Sequence, residues 1–501
     1  MNFFFLKIRK IILERKIIDF LILFLFILGV GFLFYYLSLT KTIKPKIGGI
    51  YREGLFETLN SLNPLLPKNE SEKSILNIIY PPLVEYDNGV LISKFLKSYY
   101  FSPDYLTLAF ELKDLKWSDG SELTTDDLAF SFDLFKKSGP SDFINNFRNV
   151  EIKIIDKKRA EFHLKFNDNY FLSSLKNFKI LPAKTYAKAD FDNFNLDLLK
   201  IGSGPFVFDS LKTRNDLTII KLKRNTFYQP QPYLDEIHFY VFPSAKAAFD
   251  ALILKEIDGL AGINYFDLPQ NVYFNYQIYS ITLPRVIGLF FNSQKVKPEI
   301  VNVLNQAIDR QKIVKDIFKD KAEISFGVFS PKVRKVLNLD NLNFNSTSAS
   351  QKLSLKIIIP SSYFYPDIGR WLKEHYGLET EFIKPEDLNE ILTGKDYEGV
   401  LSGLNFNYYP SIVSFFSKLG YNINNLDDVD LERGFQDLIT NPQTKINEKL
   451  MAIEKKLLRF NVFLTNPHYL YFLNKNIAGF DQFFLPAPEF RFIKLEFWYQ
   501  K

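Results

Sequence analysis

Four histidines, His163, His238, His375 and His468, are spread singly along the chain, and no two have the i, i+4 spacing of a helical metal pair. His163 and His238 fall in alternating strand patterns, where a hydrogen-bonded structural role is expected. Cysteine is absent, which removes disulfides, thiolate metal sites, a cysteine nucleophile and a lipid-carrying N-terminal cysteine. Ser173 and Lys176 in SSLK have the spacing of the serine–lysine pair of penicillin-binding enzymes, but the companion S-D-N and K-T-G elements are missing. GSGP (Gly202–Pro205) reads as a turn between strands. Asp126 and Asp127 read as first-turn helix residues favoured by the dipole, not as an acid–base couple. No G-x-S-x-G elbow, phosphate loop or dinucleotide fingerprint occurs. No enzyme is expected, and no catalytic residue, metal or cofactor is assigned.

The elements that would position a site mix short strands with amphipathic helices, the pattern of layered α/β or α+β folds. Asp119-Gly120 closes a tight turn, and Thr124 with Asp127 makes a capping-box start for a helix burying Leu128, Phe132 and Phe135. Glu151–Phe166 reads as two strands around a charged turn, and Asp216–Asn225 and Tyr233–Phe242 as strands flanking FYQPQP. A helix is expected from Ser244 to near Gly259, and a single longer one over Pro298–Phe318. Asn341–Ser350 has loop composition. Leu355–Pro360, Ile368–Gly377, Leu378–Ile383 and Tyr397–Gly403 follow in β-α-β order and predict a parallel layer.

The chain has 501 residues, enough for two or three domains, with 47% hydrophobic and 24% charged residues, a globular composition. Its 52 Phe fit either an A/T-rich coding bias or an aromatic ligand-gripping surface. The net charge of +6 lies wholly within residues 1–46, which carry eight cations and two anions. Residues 47–501 are therefore balanced, which argues against nucleic-acid binding. Phe20–Leu37 is an eighteen-residue run without a charge, preceded by five cations and ending in Tyr35-Tyr36-Leu37. This predicts an uncleaved, single-pass membrane helix over 17–39, with residues 1–16 cytoplasmic, 40–47 a linker and the remainder extracytoplasmic. A cleaved signal peptide would have a shorter apolar core and small residues at the cut.

Several segments, in order, resemble the family 5 extracytoplasmic solute-binding proteins of ABC transporters, the oligopeptide, dipeptide and nickel class. They are GGIYREGLFETLNSLNPLL (Gly48–Leu66), IIYPPLVEYDNG (Ile78–Gly89), LKWSDGSELTTDDLAFSFDLF (Leu115–Phe135), IGSGPFVF (Ile201–Phe208), Leu222–Gly259 and Leu289–Val314. The resemblance runs from about residue 48 to 415. It implies an α/β, periplasmic-binding-protein-like fold of type II, with two hinged lobes and an inserted domain. Lobe I would comprise 48–72, 200–275 and 479–501, ending in a last strand over Phe492–Gln500. The insert would be 73–199 and lobe II 276–478, with hinge crossings near 276 and 478.

The resemblance further implies a peptide or similar small solute bound between the lobes and handed to an ABC permease; many members are lipoproteins or freely soluble, whereas this chain is expected to act as a monomer tethered by its own N-terminal helix. Peptide-binding members carry a glycine-tryptophan-glycine stretch and an Asp that accepts the peptide's α-amino group. Here SGLNFNYYPS (Ser402–Ser411) takes that place, with Leu404 at the Trp and Asn407 near the Asp. An amide accepts hydrogen bonds but gives a buried ammonium no counter-charge. Leu404, Asn405, Phe406, Asn407 and Tyr408 are the expected pocket wall. Tyr80 and Arg285 are further candidates, each with a plainer alternative: core packing for Tyr80, a surface ion pair for Arg285. The alternative function is an anchored ligand sensor or scaffold without transport. An anchored hydrolase lacks its nucleophile and base, and nickel would require a chelating small molecule, there being no histidine cluster.

Overall fold

The computed structural model describes residues 24–32 and 45–501, apart from 169–170, 264–267, 341, 343–353, 363, 407–411, 419, 441–445 and the side chains of 141–142. The chain divides into two compact units, Ile47–Gln500 and Met1–Lys46 with Lys501. In the smaller unit residues 24–32 are helical. The rest of the expected membrane helix over 17–39 and the basic segment 1–16 lie outside the described residues. Among the described residues no helix is long and apolar enough to cross a membrane. The expected loop over Asn341–Ser350 likewise falls outside them, Leu342 excepted.

The strands of the larger unit, numbered along the chain, build two main sheets and a smaller one. The first contains β1 (Ile50–Leu55), β8 (Phe206–Arg214), β9 (Leu217–Arg224), β10 (Glu236–Val241), β11 (Gly259–Ala261), β12 (Tyr276–Ile281) and β19 (Tyr469–Asn474). Their spatial order is β12-β19-β11-β1-β10-β9-β8. The second contains β13 (Arg285–Phe291), β14 (Ala322–Ile324), β15 (Lys356–Pro360), β16 (Glu379–Ile383), β17 (Gly399–Asn405) and β18 (Asn461–Pro467). Their order is β14-β18-β13-β17-β15-β16. The smaller sheet pairs β4 (Leu96–Phe101), β5 (Thr107–Leu112), β7 (Arg159–Leu164) and β6 (Val150–Ile154) in that order. Two short pairs, β2 (Glu85–Asp87) with β3 (Val90–Ile92) and β20 (Ile477–Ala478) with β21 (Tyr499–Gln500), accompany them.

β13 and β18 lie in the middle of the second sheet and are buried almost throughout, which is why RVIGLFF and NVFLTNP read as unbroken rather than alternating strands. β15 runs parallel to both β16 and β17, with the helix Tyr365–Tyr376 between β15 and β16, as the β-α-β pattern predicted. The capping box forms as expected: the Thr124 N–H donates to Asp127 Oδ2 at 3.0 Å and opens the helix Thr125–Ser138. Gly120 holds φ +87° in the preceding turn. From that helix Phe132 meets Phe143, Phe147, Phe162 and Phe178 at centroid distances of 5.8, 5.7, 5.1 and 5.6 Å. Much of the Phe surplus is thus core. One hydrophobic cluster runs from Tyr51 in β1 through Phe132 and Phe162 to Trp498, so the insert and the first sheet share a core.

Four expectations are corrected. The helix expected over Pro298–Phe318 is two, Pro298–Ala307 and Arg310–Asp316. Asp309 caps the second by accepting from the Lys312 N–H at 3.1 Å. The buried Arg310 guanidinium donates to the carbonyls of Asn305 at 3.0 Å and Phe463 at 2.7 Å, fixing the break against β18. β12 and β19 pair with each other in the first sheet, so the crossings between sheets fall at 282–284 and 468, not near 276 and 478. Phe492–Gln500 is no strand of the first sheet: it is a 3₁₀ turn, Leu495–Phe497, followed by the two-residue β21. The boundary expected at 72/73 also falls inside a helix, Glu70–Ile79.

Phe132→Ala should cost about 3–5 kcal/mol, since its four aromatic neighbours cannot all collapse into the space. Leu254→Ala, on an exposed side chain, should cost under about 0.5 kcal/mol. Urea unfolding of both variants checks the contrast.

Candidate functional site

The two main sheets are linked by very short connections. β12 enters β13 through Thr282, Leu283 and Pro284, and β18 enters β19 through His468. The connections are tied to each other. Arg285 Nε and Nη2 donate to the Pro467 carbonyl at 3.1 and 2.7 Å, and Asn466 Nδ2 donates to the Leu283 carbonyl at 2.9 Å. A third segment braces them: the Thr282 N–H donates to the Phe483 carbonyl at 3.0 Å, and the Leu485 N–H to the Thr282 carbonyl at 3.1 Å. His468 Nε2 lies 3.9 Å from Glu323 Oε1. Burial would raise the Glu323 carboxyl, but His468, Lys332 and Ser330 hold it down at about 2.

The expected site residues divide between two places. Arg285 opens β13 opposite Asn405 at the end of β17, and Leu404 pairs with Val286. Asn405 is exposed, whereas Leu404 and Phe406 are buried in the core beneath the second sheet. The Phe406 N–H donates to the Pro284 carbonyl at 2.6 Å, and its ring meets Phe329 and Phe415 edge-on at 5.8 and 5.6 Å. These four residues therefore sit at the end of the second sheet beside the crossings. Asn407 and Tyr408 lie outside the described residues. Tyr80 is elsewhere, fully buried in the core shared by the insert and the first sheet. Its hydroxyl donates to the Ile201 carbonyl at 2.6 Å and meets Tyr186 Oη at 3.0 Å, and burial raises its pKa well above the usual phenol value.

The histidines and the SSLK pair have local surroundings. His163 lies 3.0 Å from Glu161 and His238 2.6 Å from Glu236, while His375 stacks on Trp371 at 4.2 Å. Among the described residues no group of three or more His, Asp or Glu is placed to hold a metal ion. Ser173 and Lys176 are both buried, with no hydrogen bond joining them among the described residues. Asp127 is committed to structure, its Oδ2 accepting from Trp117 Nε1 at 3.2 Å and its Oδ1 from the Ala183 N–H at 2.9 Å.

Sequence reasoning missed a buried ionic network at the heart of the first sheet. Arg491 Nε donates to Glu53 Oε1 at 3.0 Å, and Arg491 Nη1 to Ser74 Oγ at 2.9 Å and Glu70 Oε1 at 3.2 Å. Tyr51 also donates to Glu53, Tyr471 does so at 3.1 Å, and Tyr469 donates to Glu70 at 2.6 Å. Burial pushes the Glu53 carboxyl up, against the opposing pull of Arg491 and the two phenols. Burial likewise keeps Tyr51 and Tyr471 protonated far beyond the usual phenol range. The available signal was Glu53 itself, a charge on the buried Tyr51–Glu53–Leu55 face of an otherwise apolar strand. Its partner, 438 residues away, carries no local sign.

Residues 91–353 match the family described as bacterial extracellular solute-binding proteins, family 5 middle region. The oligopeptide-binding protein AppA of Bacillus subtilis is 26% identical over 336 residues, covering 62% of this chain and 60% of AppA. A putative ABC transporter peptide-binding protein of Brucella ovis is 29% identical over 188 residues, 36% of this chain and 35% of that protein. The matched regions thus span about 60% or less of these relatives' lengths. Among solved structures, AppA of B. subtilis in complex with a nonapeptide superposes with a TM-score of 0.67 at 19% identity, covering 91% of this chain and all of that one. The ABC transporter substrate-binding protein CtaP of Listeria monocytogenes gives 0.75 at 20% identity, with 91% and 100% covered. NikZ of Campylobacter jejuni in complex with Ni(L-His) gives 0.68 at 18%, with 90% and 99% covered. At these identities the likeness establishes the fold, an α/β architecture of the periplasmic-binding-protein kind.

Arg491→Met leaves Glu53 buried without its counter-charge and should cost about 3–5 kcal/mol. Adding Glu53→Gln should recover part of that loss. Chemical denaturation of the single and double variants at neutral pH reads both effects.

Proposed function

We propose, because this chain belongs to the bacterial extracellular solute-binding proteins of family 5, that it is the membrane-anchored, extracytoplasmic binding protein of an ABC-type transporter. It takes a peptide or a similar small solute between two lobes and delivers it to a permease. The observation that carries this reading is the pair of short crossings at 282–284 and 468, which concentrate any rotation of one sheet against the other in a few backbone torsions. Lobe I then comprises the first sheet with β12, β19 and the C-terminal segment; lobe II comprises 285–467; and the insert within 73–199 travels with lobe I.

Asn405, Asn407 and Tyr408 line the solute site from lobe II. Leu404 and Phe406 act from beneath by holding the end of β17, and Arg285 acts by tying the crossings. Tyr80 supports packing. Without a carboxylate at Asn407, a peptide's ammonium has no charged partner there, so affinity comes from backbone hydrogen bonding and wet pockets. The relatives are solute-binding proteins, and no enzymatic step is assigned. The anchor reading rests on the uncharged run Phe20–Leu37 behind five cations.

Mass spectrometry of small molecules released from purified residues 47–501 tests the proposal. Peptides of varied sequence and narrow length range are the expected result. A single non-peptide compound would keep the receptor and change its solute. An empty protein with no thermal shift across a peptide pool would favour the anchored sensor or scaffold.

A further inference from the structure

Beside the crossings, two stretches rooted in the core shared by the insert and the first sheet reach into the core beneath the second sheet. One is the hairpin β2–β3. Leu83 and Val84, which lead into it, lie in the shared core, whereas Tyr86 is buried in the second core with Val286, Phe290 and Leu404. Leu91, opposite Tyr86 in the hairpin, packs against both cores. The turn is Asn88-Gly89, whose φ angles of +44° and +105° suit a two-residue hairpin connection. The other stretch is 480–485. Phe480 and Leu485 lie in the shared core, and Phe484 between them lies in the second. Among the described residues, Tyr86 and Phe484 are the two buried members of the second core that come from outside 285–467.

The two stretches are fastened to each other and to a crossing. Asn88 Oδ1 accepts from the Phe483 and Phe484 N–H groups at 2.9 and 3.2 Å, and Asn88 Nδ2 donates to the Asp481 carbonyl at 3.3 Å. Lys494 Nζ lies 2.8 Å from Asp87 Oδ2 and 2.9 Å from Asp481 Oδ2, so one ammonium spans both stretches. The Phe483 carbonyl accepts in turn from the N–H of Thr282, the first residue of the 282–284 crossing. A rotation about that crossing therefore moves the segment that holds Asn88. It either draws Tyr86 and Phe484 out of the second core, wetting two aromatic side chains, or pulls them against their anchors in the shared core. Close-packed cores do not stretch continuously, so the contact is either made or broken.

We propose that the hairpin β2–β3 and the segment 481–485, joined through Asn88, form a strap that latches the two sheets in the arrangement described, and that one sheet swings against the other only when the strap leaves the second core. The strap stands on these contacts alone; only its use in gating solute entry rests on the solute-binding reading. Asn88 makes the release concerted, because Tyr86 and Phe484 are held on one side chain's hydrogen bonds and come away together.

The test uses the full chain in detergent. The sequence has no cysteine, so Leu254→Cys and Val429→Cys, 68% and 69% exposed on either side of the crossings, carry a single pair of spin labels. Pulsed electron resonance on the labelled chain should give one distance. Asn88→Gly removes the three side-chain bonds and keeps the turn, since glycine suits a φ of +44°. It should add a second distance, its population raised about tenfold over that of the released state in the labelled parent. An unchanged distance distribution in Asn88→Gly overturns the proposal. Hydrogen exchange of the unaltered chain needs no variant: the amides of 481–485 should exchange sooner than those of β13, and equal protection also overturns the proposal. A peptide pool added to both labelled chains separates the two readings. If peptides change the distance in the parent and Asn88→Gly shows no second distance, the receptor stands and the strap falls. If peptides change neither chain and the second distance is present, the strap stands and the receptor reading falls.

Discussion

The contact between Arg491 and Glu53 is the constraint on which the larger unit depends. It joins residues 438 positions apart and closes the first sheet around a charge taken out of water. A buried ion pair contributes little net stability when complete, but either member alone is costly, so the pair acts as a check on assembly. β1 can settle beside β11 and β10 with Glu53 buried only when the C-terminal segment has delivered Arg491, and Arg491 is further fixed by Ser74 and Glu70 on the helix Glu70–Ile79. The two phenols complete the shell, Tyr51 from β1 itself and Tyr471 from β19, the strand that returns from the second sheet. The first sheet is thus completed by both ends of the larger unit.

A second charge pair plays the corresponding role under the other sheet. Arg334 Nη1 reaches Glu454 Oε1 and Oε2 at 2.9 and 2.8 Å, and Glu454 Oε1 accepts the Val328 N–H at 2.9 Å. The helix Ile446–Leu457 is therefore fixed to the helix Pro331–Val336 and to the segment before it by contacts that no local pattern announces. Among the described residues, each sheet has a buried guanidinium–carboxylate clasp between segments far apart in the chain.

Local regularities were legible in the sequence. The capping box at Thr124, the strands around Asp156–Lys158 and the β-α-β order after Leu355 each depend on residues within one or two turns or a hairpin, so side-chain type and spacing specify them. The sequence resemblance also anticipated the family and the α/β fold. What escaped was set by distant partners. Pro298–Phe318 has unbroken helical periodicity, but Arg310 ends its first helix by turning inward to β18. The crossings could not be placed because β12 and β19 read as strands whichever sheet receives them. Of the proposed wall, Leu404 and Phe406 were legible as apolar and Asn405 as polar, but whether an apolar residue at a strand end faces a ligand or the core depends on the layer packed beneath. The sequence shows of Lys176 only its spacing from Ser173, and its burial follows from the neighbouring insert core.

The shared core carries a mechanical consequence. With Phe132, Phe162, Tyr51 and Trp498 in one cluster, the insert and the first sheet have no apolar seam along which to slip. The path between sheets then holds only Thr282, Leu283, Pro284 and His468, and the ring of Pro284 fixes one of their φ angles. On the proposed two-lobe reading, so few free torsions, already cross-tied by Arg285 and Asn466, would confine closure to nearly a single rotational coordinate: a door on one axis, whose swing two labels could report as one distance.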